Sequence, residues 1–446
     1  MGNLHRFRGP ARGELIDAAL TALGTSLLFV VVYGGCSWLT SLRGDVGIWV
    51  YDWERAIPFV PLMIIPYMSI DLFFVAAPFI CRDREERRLL AGRIALAILA
   101  AGACFLLVPL RFAFPRPMPE GWLGAIFGFL HGFDRPYNLF PSLHIVLRTI
   151  LAHTYARHTR GALNWLVHIW FSLIGFSTVL TWQHHVADVA GGFILALLCF
   201  YFVRRPAVTE RAVNVRIGLY YLSGAGLLTA AAIAPGGWAL LLLWPALGLA
   251  LAAGVYFGWT ADLFGKENGR LPLSSRCLLA PLLLGHWLSL RYYQRQAAAW
   301  NEVVPGLWMG RRLSEREARQ AVRRGVTAVL DLSAEFSEPP AFRGVSYLNL
   351  PVPDLTAPSP AQLAAAVAFI RRERARGTVY VHCKIGYSRS AAVVGAYLRA
   401  AGIAPDPVDA IALMRRARPS LVVRPEAHTA IALSPGNPAV EIRVSG

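Results

Sequence analysis

Residues 382–390 bring together a cysteine, a glycine and an arginine at a spacing that suits phosphate chemistry. Cys383 and Arg389 flank a short loop around Gly386, with a strand-like run before the loop and a helix-like run after it. Such a loop turns backbone N–H groups inward, and the helix N-terminus adds a field that binds anions and lowers the pKa of a thiol. Arg389 can hold two phosphoryl oxygens with its planar fork. These residues predict a thiolate nucleophile in a phosphate cradle, whereas the alternative is an inert buried cysteine beside a structural arginine.

The stretch resembles the signature of cysteine-dependent protein tyrosine phosphatases, most closely the dual-specificity branch, and the resemblance covers about residues 297–436. The runs NEVVPGLWMG at 301–310 and GVTAVLDL at 325–332 resemble the first strands of that family. An aspartate about thirty residues before the cysteine is the family's general acid. Asp354, in Leu350-Pro351-Val352-Pro353-Asp354, fits that place.

The resemblance implies a role for each of these residues. Cys383 attacks phosphorus, Asp354 protonates the leaving oxygen, and Arg389 binds the phosphoryl group. Ser390 assists the breakdown of the thiophosphate intermediate. A nucleophile, an acid and an anion clamp are also what in-line phosphoryl transfer requires chemically. The remaining phosphate-binding residues that we expect in the loop are Lys384, Gly386 and Ser388.

A second group of residues that could do chemistry lies in the apolar part of the chain. His144 follows Pro141-Ser142-Leu143, and His184 lies four residues before Asp188, so the carboxylate can orient an imidazole across one helical turn. Two histidines and a carboxylate can supply a nucleophile, a base and an orienting group. The expected phosphate-binding residues here are Arg111, Arg116, Arg135 and Ser142. Histidine and arginine side chains that merely reach the membrane surface are the alternative.

This second group resembles the type 2 phosphatidate phosphatase superfamily over about residues 55–205. Arg116-Pro117 and Pro141–His144 match two parts of its pattern. The resemblance implies that His184 is the nucleophile and His144 the acid/base, with Asp188 as the orienting partner. Thr178 stands where the hydrolases have arginine, and no lysine precedes Arg116 at the usual place. The run DRPYNLFPSLH resembles the inositol phosphorylceramide synthase branch instead, so hydrolysis and lipid phosphotransfer both stay open.

Composition places most of the chain in a membrane. The 446 residues are 55% hydrophobic with a mean hydropathy of +0.45, and the apolar excess lies before about residue 295. The net charge of +17 comes almost wholly from arginine. Because the arginines flank apolar runs, they indicate orientation in a bilayer and contact with anionic headgroups rather than nucleic-acid binding. The six cysteines have no metal-ligand spacing, so no metal or other cofactor is expected.

The apolar runs predict about eight spans, at 15–39, 57–80, 89–110, 142–158, 162–182, 185–203, 217–234 and 237–258. Arginine clusters at 82–88, 157–160 and 204–216 mark one face, and the positive-inside rule therefore places both termini in the cytoplasm. The run Cys277–Tyr292 is marginal in length, and we expect an interfacial or re-entrant helix there. Asp71 and Arg148 lie in mid-span, where they form either a structural pair or the wall of a lipid site.

The expected organisation is an all-α polytopic membrane domain followed by an α/β cysteine-phosphatase domain with a central sheet flanked by helices. The parts are a basic cytoplasmic N-terminus at 1–14, the membrane domain at 15–260, an interfacial linker at 261–296 and the phosphatase domain at 297–446. The residues favour a bifunctional phosphatase or phosphotransferase of a bacterial inner membrane, acting on phospholipids or their headgroups, with phosphoproteins as further substrates. A membrane-anchored protein phosphatase and a non-catalytic lipid-binding scaffold or transporter are the alternatives.

Overall fold

The computed structural model describes residues 12–205, 213–259 and 262–434. The predicted basic N-terminus therefore lies almost wholly outside the described residues, as do Arg211 and residues 435–446 of the predicted phosphatase domain. The chain divides into two compact units, Met1–Arg205 and Pro206–Gly446. Each unit is described by itself below.

The described part of the first unit is helical. An aromatic and aliphatic core that includes Phe74, Ile94, Ile150 and Phe171 lies between its helices. Asp83 caps one helix by accepting from the N–H of Glu86 at 2.8 Å. The helices are α1 Arg12–Ser41, α2 Ile64–Ile80, α3 Arg84–Leu107, α4 Gly121–Phe133, α5 Leu143–His158, α6 Gly161–Leu180 and α7 Val186–Phe202. The helix α4 lies in the stretch that the sequence predicts as a loop.

Before the α/β domain, the described residues of the second unit form four α-helices, α8 Val215–Ile233, α9 Leu243–Tyr256, α10 Leu273–Leu278 and α11 Ala280–Tyr293. An α/β domain follows. Its strands are β1 Trp300–Val304, β2 Leu307–Arg311, β3 Val326–Asp331, β4 Ser346–Asn349 and β5 Thr378–Cys383. Its helices are α12 Glu315–Arg323, α13 Pro360–Arg374, α14 Ser388–Ala400, α15 Pro407–Ala417 and α16 Pro425–Leu433.

The five strands form one mixed sheet in the order β1-β2-β5-β3-β4. Only the β1–β2 pair is antiparallel. β5 lies at the centre of the sheet, and its carboxyl end carries Cys383 into the loop before α14. Ser314 and Glu317 form the predicted capping box at the start of α12. The fold therefore places the 383–389 loop where a strand end and a helix N-terminus meet, which is the usual ligand-binding edge of such a sheet.

Six helical segments in the described residues are long and apolar enough to cross a membrane, namely Arg12–Ser41, Pro61–Ile80, Arg84–Leu107, Gly161–Leu180, Val215–Ile233 and Gly237–Tyr256. All eight predicted spans are helical, but α5 and α7 have 16 and 17 residues. The count of eight spans therefore stays a prediction. The predicted run at 277–292 is broken at Leu279, and α11 has only 14 residues.

The boundary between the two units differs from the predicted boundary at residue 260. The helices α8 and α9 lie in the same unit as the α/β domain. Asn214, just before α8, donates a hydrogen bond to the backbone of residue 355 of that domain. Tyr256, the last residue of α9, donates one to the backbone of residue 354. The stretch expected to be a linker also joins this unit, because Gly269 accepts from the N–H of Glu338 at 2.7 Å.

Candidate active sites

The loop after β5 has the backbone conformation of an anion cradle. Gly386 has φ +76°, and a Cβ at this position would lie 2.3 Å from the carbonyl oxygen of Gly310. Both the left-handed conformation and the close approach require glycine. The N–H of Gly386 points to Cys383 and donates to its Sγ at 3.3 Å. The loop therefore already directs a backbone donor at the sulfur.

Cys383 is buried, with 3% of its surface exposed. Burial raises the pKa of the Cys383 thiol, but the positive charge of Arg389 opposes this strongly. The Gly386 N–H and the adjacent Ser390 also favour the thiolate, and the pKa lies below its ordinary value. Cys383 is therefore prepared as a nucleophile.

Arg389 is held by a carboxylate that the sequence does not reveal as part of the site. Its Nη2 donates to Glu335 Oε1 at 2.9 Å, and its Nη1 lies 3.3 Å from Oε2. Nη1 also donates to the carbonyl oxygen of Val352 at 2.8 Å. Arg389 and Glu335 are both at least 97% buried, since their exposed fractions are 3% and 2%. The guanidinium is therefore fixed in orientation before any phosphate binds.

Asp354 lies at the mouth of the same cradle. Its Oδ1 is 3.2 Å from Arg389 Nη2, and its Oδ2 accepts from the ammonium of Lys384. Burial raises the pKa of Asp354, but the two cations outweigh it and hold the pKa well below its usual range. Asp354 is thus ionised in this state, and it can act as an acid only after the cations turn to another anion.

The two serines of the loop have different surroundings. The Ser388 hydroxyl donates to the carbonyl oxygen of Val422 at 3.0 Å and accepts from the N–H of Arg424 at 3.0 Å. In this state the hydroxyl is therefore engaged with residues 422 and 424, and its contact with phosphate stays a prediction. The Ser390 side chain is fully buried and contributes to the field at Cys383.

Two buried cations brace the loop from behind. Arg418 donates to the carbonyl oxygen of Ile385 at 3.0 Å and to Asn301 Oδ1 at 2.7 Å. Lys266 pairs with Asp331 and lies 3.5 Å from Glu338, which in turn lies 3.3 Å from His382. These contacts anchor the carboxyl ends of β3 and β5, where the loop begins.

A cavity of about 300 Å³ lies among the helices of the first unit. It is mostly apolar, with contributions from α1, α2, α4 and α5. His144 and His184 both line it, and so does Asp71, for which the sequence left two interpretations open. Arg148 instead donates to the carbonyl oxygen of Phe171 at 2.8 Å. The polar residues that line the cavity are Tyr33, Tyr67, Asp71, Asp134, Asn138, His144 and His184.

Both histidines present ring nitrogens without hydrogen-bond partners among the described residues, His144 through Nε2 and His184 through Nδ1. Asp188 Oδ2 is 3.6 Å from His184 Nδ1, which is ion-pair range but longer than a hydrogen bond. The same oxygen accepts from the N–H of His185 at 2.8 Å. Asp188 is therefore occupied in capping α7 and is only loosely placed to orient His184.

In the described residues of the first unit, 12–205, the three arginines predicted to bind phosphate are not among those that line the cavity. Arg116 donates to the carbonyl oxygen of Asp134 at 2.7 Å, immediately behind the wall. Arg135 donates to Ser41 Oγ at 2.7 Å, and Arg111 is exposed. The Ser142 hydroxyl caps α5 by accepting from the N–H of Ile145 at 3.4 Å.

The close packing of α7 on α5 brings the two histidines to one cavity. A Cβ on Gly192 would lie 2.7 Å from the carbonyl oxygen of Ser142, so only glycine permits this approach. His185, beside His184, is structural: its Nδ1 contacts Glu54 Oε2 at 3.1 Å, and its Nε2 accepts from the N–H of Ala113 at 3.1 Å. Glu54 is a buried partner that no local pattern indicates.

Residues 307–431 match the family model described as dual specificity phosphatase, catalytic domain. Residues 60–202 match the model of the PAP2 superfamily. Dual specificity protein phosphatase 22 of Homo sapiens is 36% identical over 104 residues, which are 22% of this chain and 53% of that protein. The chain thus spans about half the length of this relative. The structure of Tk-PTP in the active form is 29% identical, with a TM-score of 0.28, over 30% of this chain and 93% of that chain.

Dual specificity protein phosphatase 26 of Homo sapiens is 35% identical over 155 residues, which are 30% of this chain and 72% of that protein. The two family models fall on the two regions that contain the sites described above. The chain belongs to the dual-specificity phosphatase family through its C-terminal catalytic domain, and it carries a PAP2-superfamily domain before it.

Proposed function

We propose that the C-terminal domain is a cysteine-dependent phosphomonoester hydrolase. The observation that carries this proposal is the Cys383 thiol of lowered pKa, set in a glycine loop beside the fixed guanidinium of Arg389. The thiolate attacks phosphorus and forms an S–P bond while the P–O bond to the leaving group breaks. Asp354 gives its proton to the leaving oxygen, and Arg389 binds the equatorial oxygens.

The second step returns the enzyme to its starting state. Asp354, now a carboxylate, takes a proton from water as the water oxygen attacks phosphorus. The S–P bond breaks and inorganic phosphate leaves, with Ser390 stabilising the departing thiolate. In the first step, by contrast, Lys384 moves from Asp354 to the bound phosphate, which removes a charge that keeps Asp354 ionised.

The substrates that we propose are membrane phospholipids or their phosphorylated headgroups. The catalytic domain shares its unit with Val215–Ile233 and Gly237–Tyr256, two segments apolar enough to cross a membrane. A tether of this kind keeps the pocket near a bilayer. A membrane-anchored protein phosphatase is the alternative, and Lys384 beside the pocket suits either anionic substrate.

The test is phosphate release by the purified full-length protein carrying His184→Ala, which removes the nucleophile of the second proposed site, measured on vesicles containing phosphorylated lipids and on phosphopeptides. Cys383→Ser and Arg389→Ala are each expected to lower the rate of phosphate release by several orders of magnitude. Substantial release by Cys383→Ser would overturn the mechanism. Faster release from phosphopeptides than from every lipid would favour the protein phosphatase.

A second function is proposed for the PAP2-superfamily domain, because two histidines with unpartnered ring nitrogens line one apolar cavity. His184 would attack a lipid phosphoryl group and hold it as a phosphohistidine, and His144 would protonate the leaving oxygen. Water or the hydroxyl of another lipid headgroup would then accept the phosphoryl group. Thr178 replaces the arginine of the hydrolases with a neutral side chain, whose hydroxyl donates to the carbonyl oxygen of Gly175 at 2.8 Å. This departure supports transfer to a hydroxyl acceptor.

Labelled lipid phosphate should be trapped on His184 as an acid-labile adduct. His184→Ala should abolish the label while arylphosphate hydrolysis through Cys383 continues. His168→Ala, a change in α6 away from the cavity, is the matched control. A label that persists in His184→Ala would reject the assignment.

A further inference from the structure

The loop that carries Asp354 is held by helices that precede the matched catalytic domain. Tyr256, at the end of α9, donates its hydroxyl to the carbonyl oxygen of Asp354 at 2.7 Å. Asn214, just before α8, donates to the carbonyl oxygen of Leu355 at 3.2 Å. Leu355 has φ +62°, a conformation that a leucine keeps only when its surroundings impose it. The position of the acid therefore depends on residues outside 307–431.

His286, on α11, lies on the same side of the site. Its ring nitrogen and one carboxylate oxygen each of Glu335 and Asp354 all lie within 4.8 Å of one another. The ring stands edge-on to Phe264, with 5.9 Å between centroids. These groups line a cavity of about 30 Å³, which has room for a water molecule. A proton can therefore pass between His286 and Asp354 through one water.

We propose that His286 is a positioning residue of the phosphatase, exchanging with Asp354 the proton that this acid delivers to the leaving group. The inference rests on the proposed phosphatase function. Once phosphate occupies Arg389 and Lys384, the neutral imidazole of His286 takes up a proton from solution and passes it to the carboxylate of Asp354. That proton passes to the leaving oxygen, and the proton removed from water in the second step returns through Asp354 to His286.

The groups facing His286 come from several elements. Glu335 and Asp354 are anionic, Arg389 and Lys384 are cationic, and Tyr221, Tyr256 and Phe264 complete the surroundings. Burial lowers the pKa of His286, and the two cations add to this against the two carboxylates, so the pKa lies below its ordinary value. Substrate binding neutralises both cations, which raises the affinity of His286 for a proton when the acid needs one.

The experiment compares two phosphate esters with the purified full-length protein in detergent micelles. Protonation of the leaving oxygen matters for glycerol 2-phosphate, an alkyl ester, and matters little for para-nitrophenyl phosphate. His286→Gln is expected to lower kcat about tenfold for the alkyl ester and less than about twofold for the aryl ester, with KM unchanged. His428→Gln, the same change at an exposed position of α16, is expected to alter neither rate.

A double variant separates proton exchange from a structural role. In Asp354→Asn the acid is already absent, so adding His286→Gln should cause no further loss. An equal loss on both esters, no loss on either, or a multiplicative loss in the double variant would overturn the inference. Melting temperatures establish that each variant is folded, and His286→Asn repeats the test if the glutamine variant melts below the assay temperature.

The same measurements keep this inference separate from the proposed phosphatase mechanism. If Asp354→Asn shows no preference for aryl over alkyl esters, the assignment of the acid fails. If Asp354→Asn shows that preference and His286→Gln does not, only the role of His286 fails.

Discussion

The guanidinium of Arg389 lies 3.2 Å from the carboxylate of Asp354, so the phosphate clamp and the acid are paired with each other. Lys384 completes this pairing from the other carboxylate oxygen. A phosphate ester must take both cations from Asp354 before Asp354 can bind a proton. Substrate binding and arming of the acid are therefore one electrostatic event.

This relationship predicts that an oxyanion binds together with a proton. Tungstate stays a dianion near neutral pH, and its binding should release Asp354 from both cations and raise the depressed pKa of that carboxyl. Calorimetry in buffers of different ionisation enthalpy is expected to show uptake of about one proton per tungstate. Asp354→Asn should bind tungstate without uptake. Equal uptake by both proteins would contradict the pairing.

Glu335→Gln should weaken both activity and stability. The change leaves the buried charge of Arg389 without its two-contact partner, which costs about 3 kcal/mol in comparable pairs. We expect a lower melting temperature and a loss in kcat/KM on the order of tenfold, because the clamp loses its fixed orientation. Glu426→Gln, an exposed change on α16, is the control. An unchanged melting temperature would show that Val352 and Asp354 suffice to hold Arg389.

The buried group around His382 predicts a loss of stability in alkaline solution. Burial lowers the pKa of His382, but Glu338 and Asp331 outweigh it and raise the pKa to about 9. A raised pKa contributes stability that is complete below the ordinary value of 6.5 and is lost as pH rises through about 9. The fraction of arylphosphatase activity that remains after heating should therefore decrease as the pH of the heating step is raised from 6.5 to 9.5.

The control for this pH dependence is a variant that lacks the titrating group. His382→Asn should be less stable at pH 6.5 and should lose the dependence between pH 6.5 and 9.5. His428→Asn should behave like the natural protein. A slope that survives in His382→Asn would assign the pH dependence to another group.

The arginine distribution predicts that the histidine cavity and Cys383 face opposite sides of the membrane. Glu120→Cys, in the stretch before α4, should react with an impermeant maleimide in intact cells. Arg319→Cys, on an exposed part of α12, should react only after the membrane is opened. Cys104 and Cys277 are replaced by alanine in both variants, because the other native cysteines are buried. Reaction of Arg319→Cys in intact cells would mean that α11 crosses the membrane.

The sequence reveals the parts of the site that are local in the chain. The 383–389 loop is recognisable because its strand, glycine and helix start adjoin one another. The partners of that loop are not recognisable, since Glu335 and Lys266 contact it only after β3 and β5 pair. No periodicity places His286 near Asp354, 68 positions later in the chain. Ion pairs between residues far apart in the chain leave no pattern in either local stretch, so they could not be predicted from the sequence.

Asp188 illustrates how a correct spacing can mislead about a contact. His184 and Asp188 have the expected separation of four, but Asp188 is also the third residue of α7. A carboxylate at that position satisfies an N–H at the helix start, here that of His185. The capping bond draws the carboxylate away from the imidazole, so the side chain meets the local need of the helix first.

The contacts of Tyr256 and Asn214 with the acid-bearing loop bear on how separable this phosphatase is from the rest of its chain. A polypeptide that starts at residue 297 would contain the cysteine, the arginine and the aspartate. It would lack Lys266, His286 and both hydrogen bonds that hold residues 354 and 355. In such a fragment the loop of Asp354 and the carboxyl end of β3 would be less constrained. Its rate constants would therefore differ from those of the full-length protein.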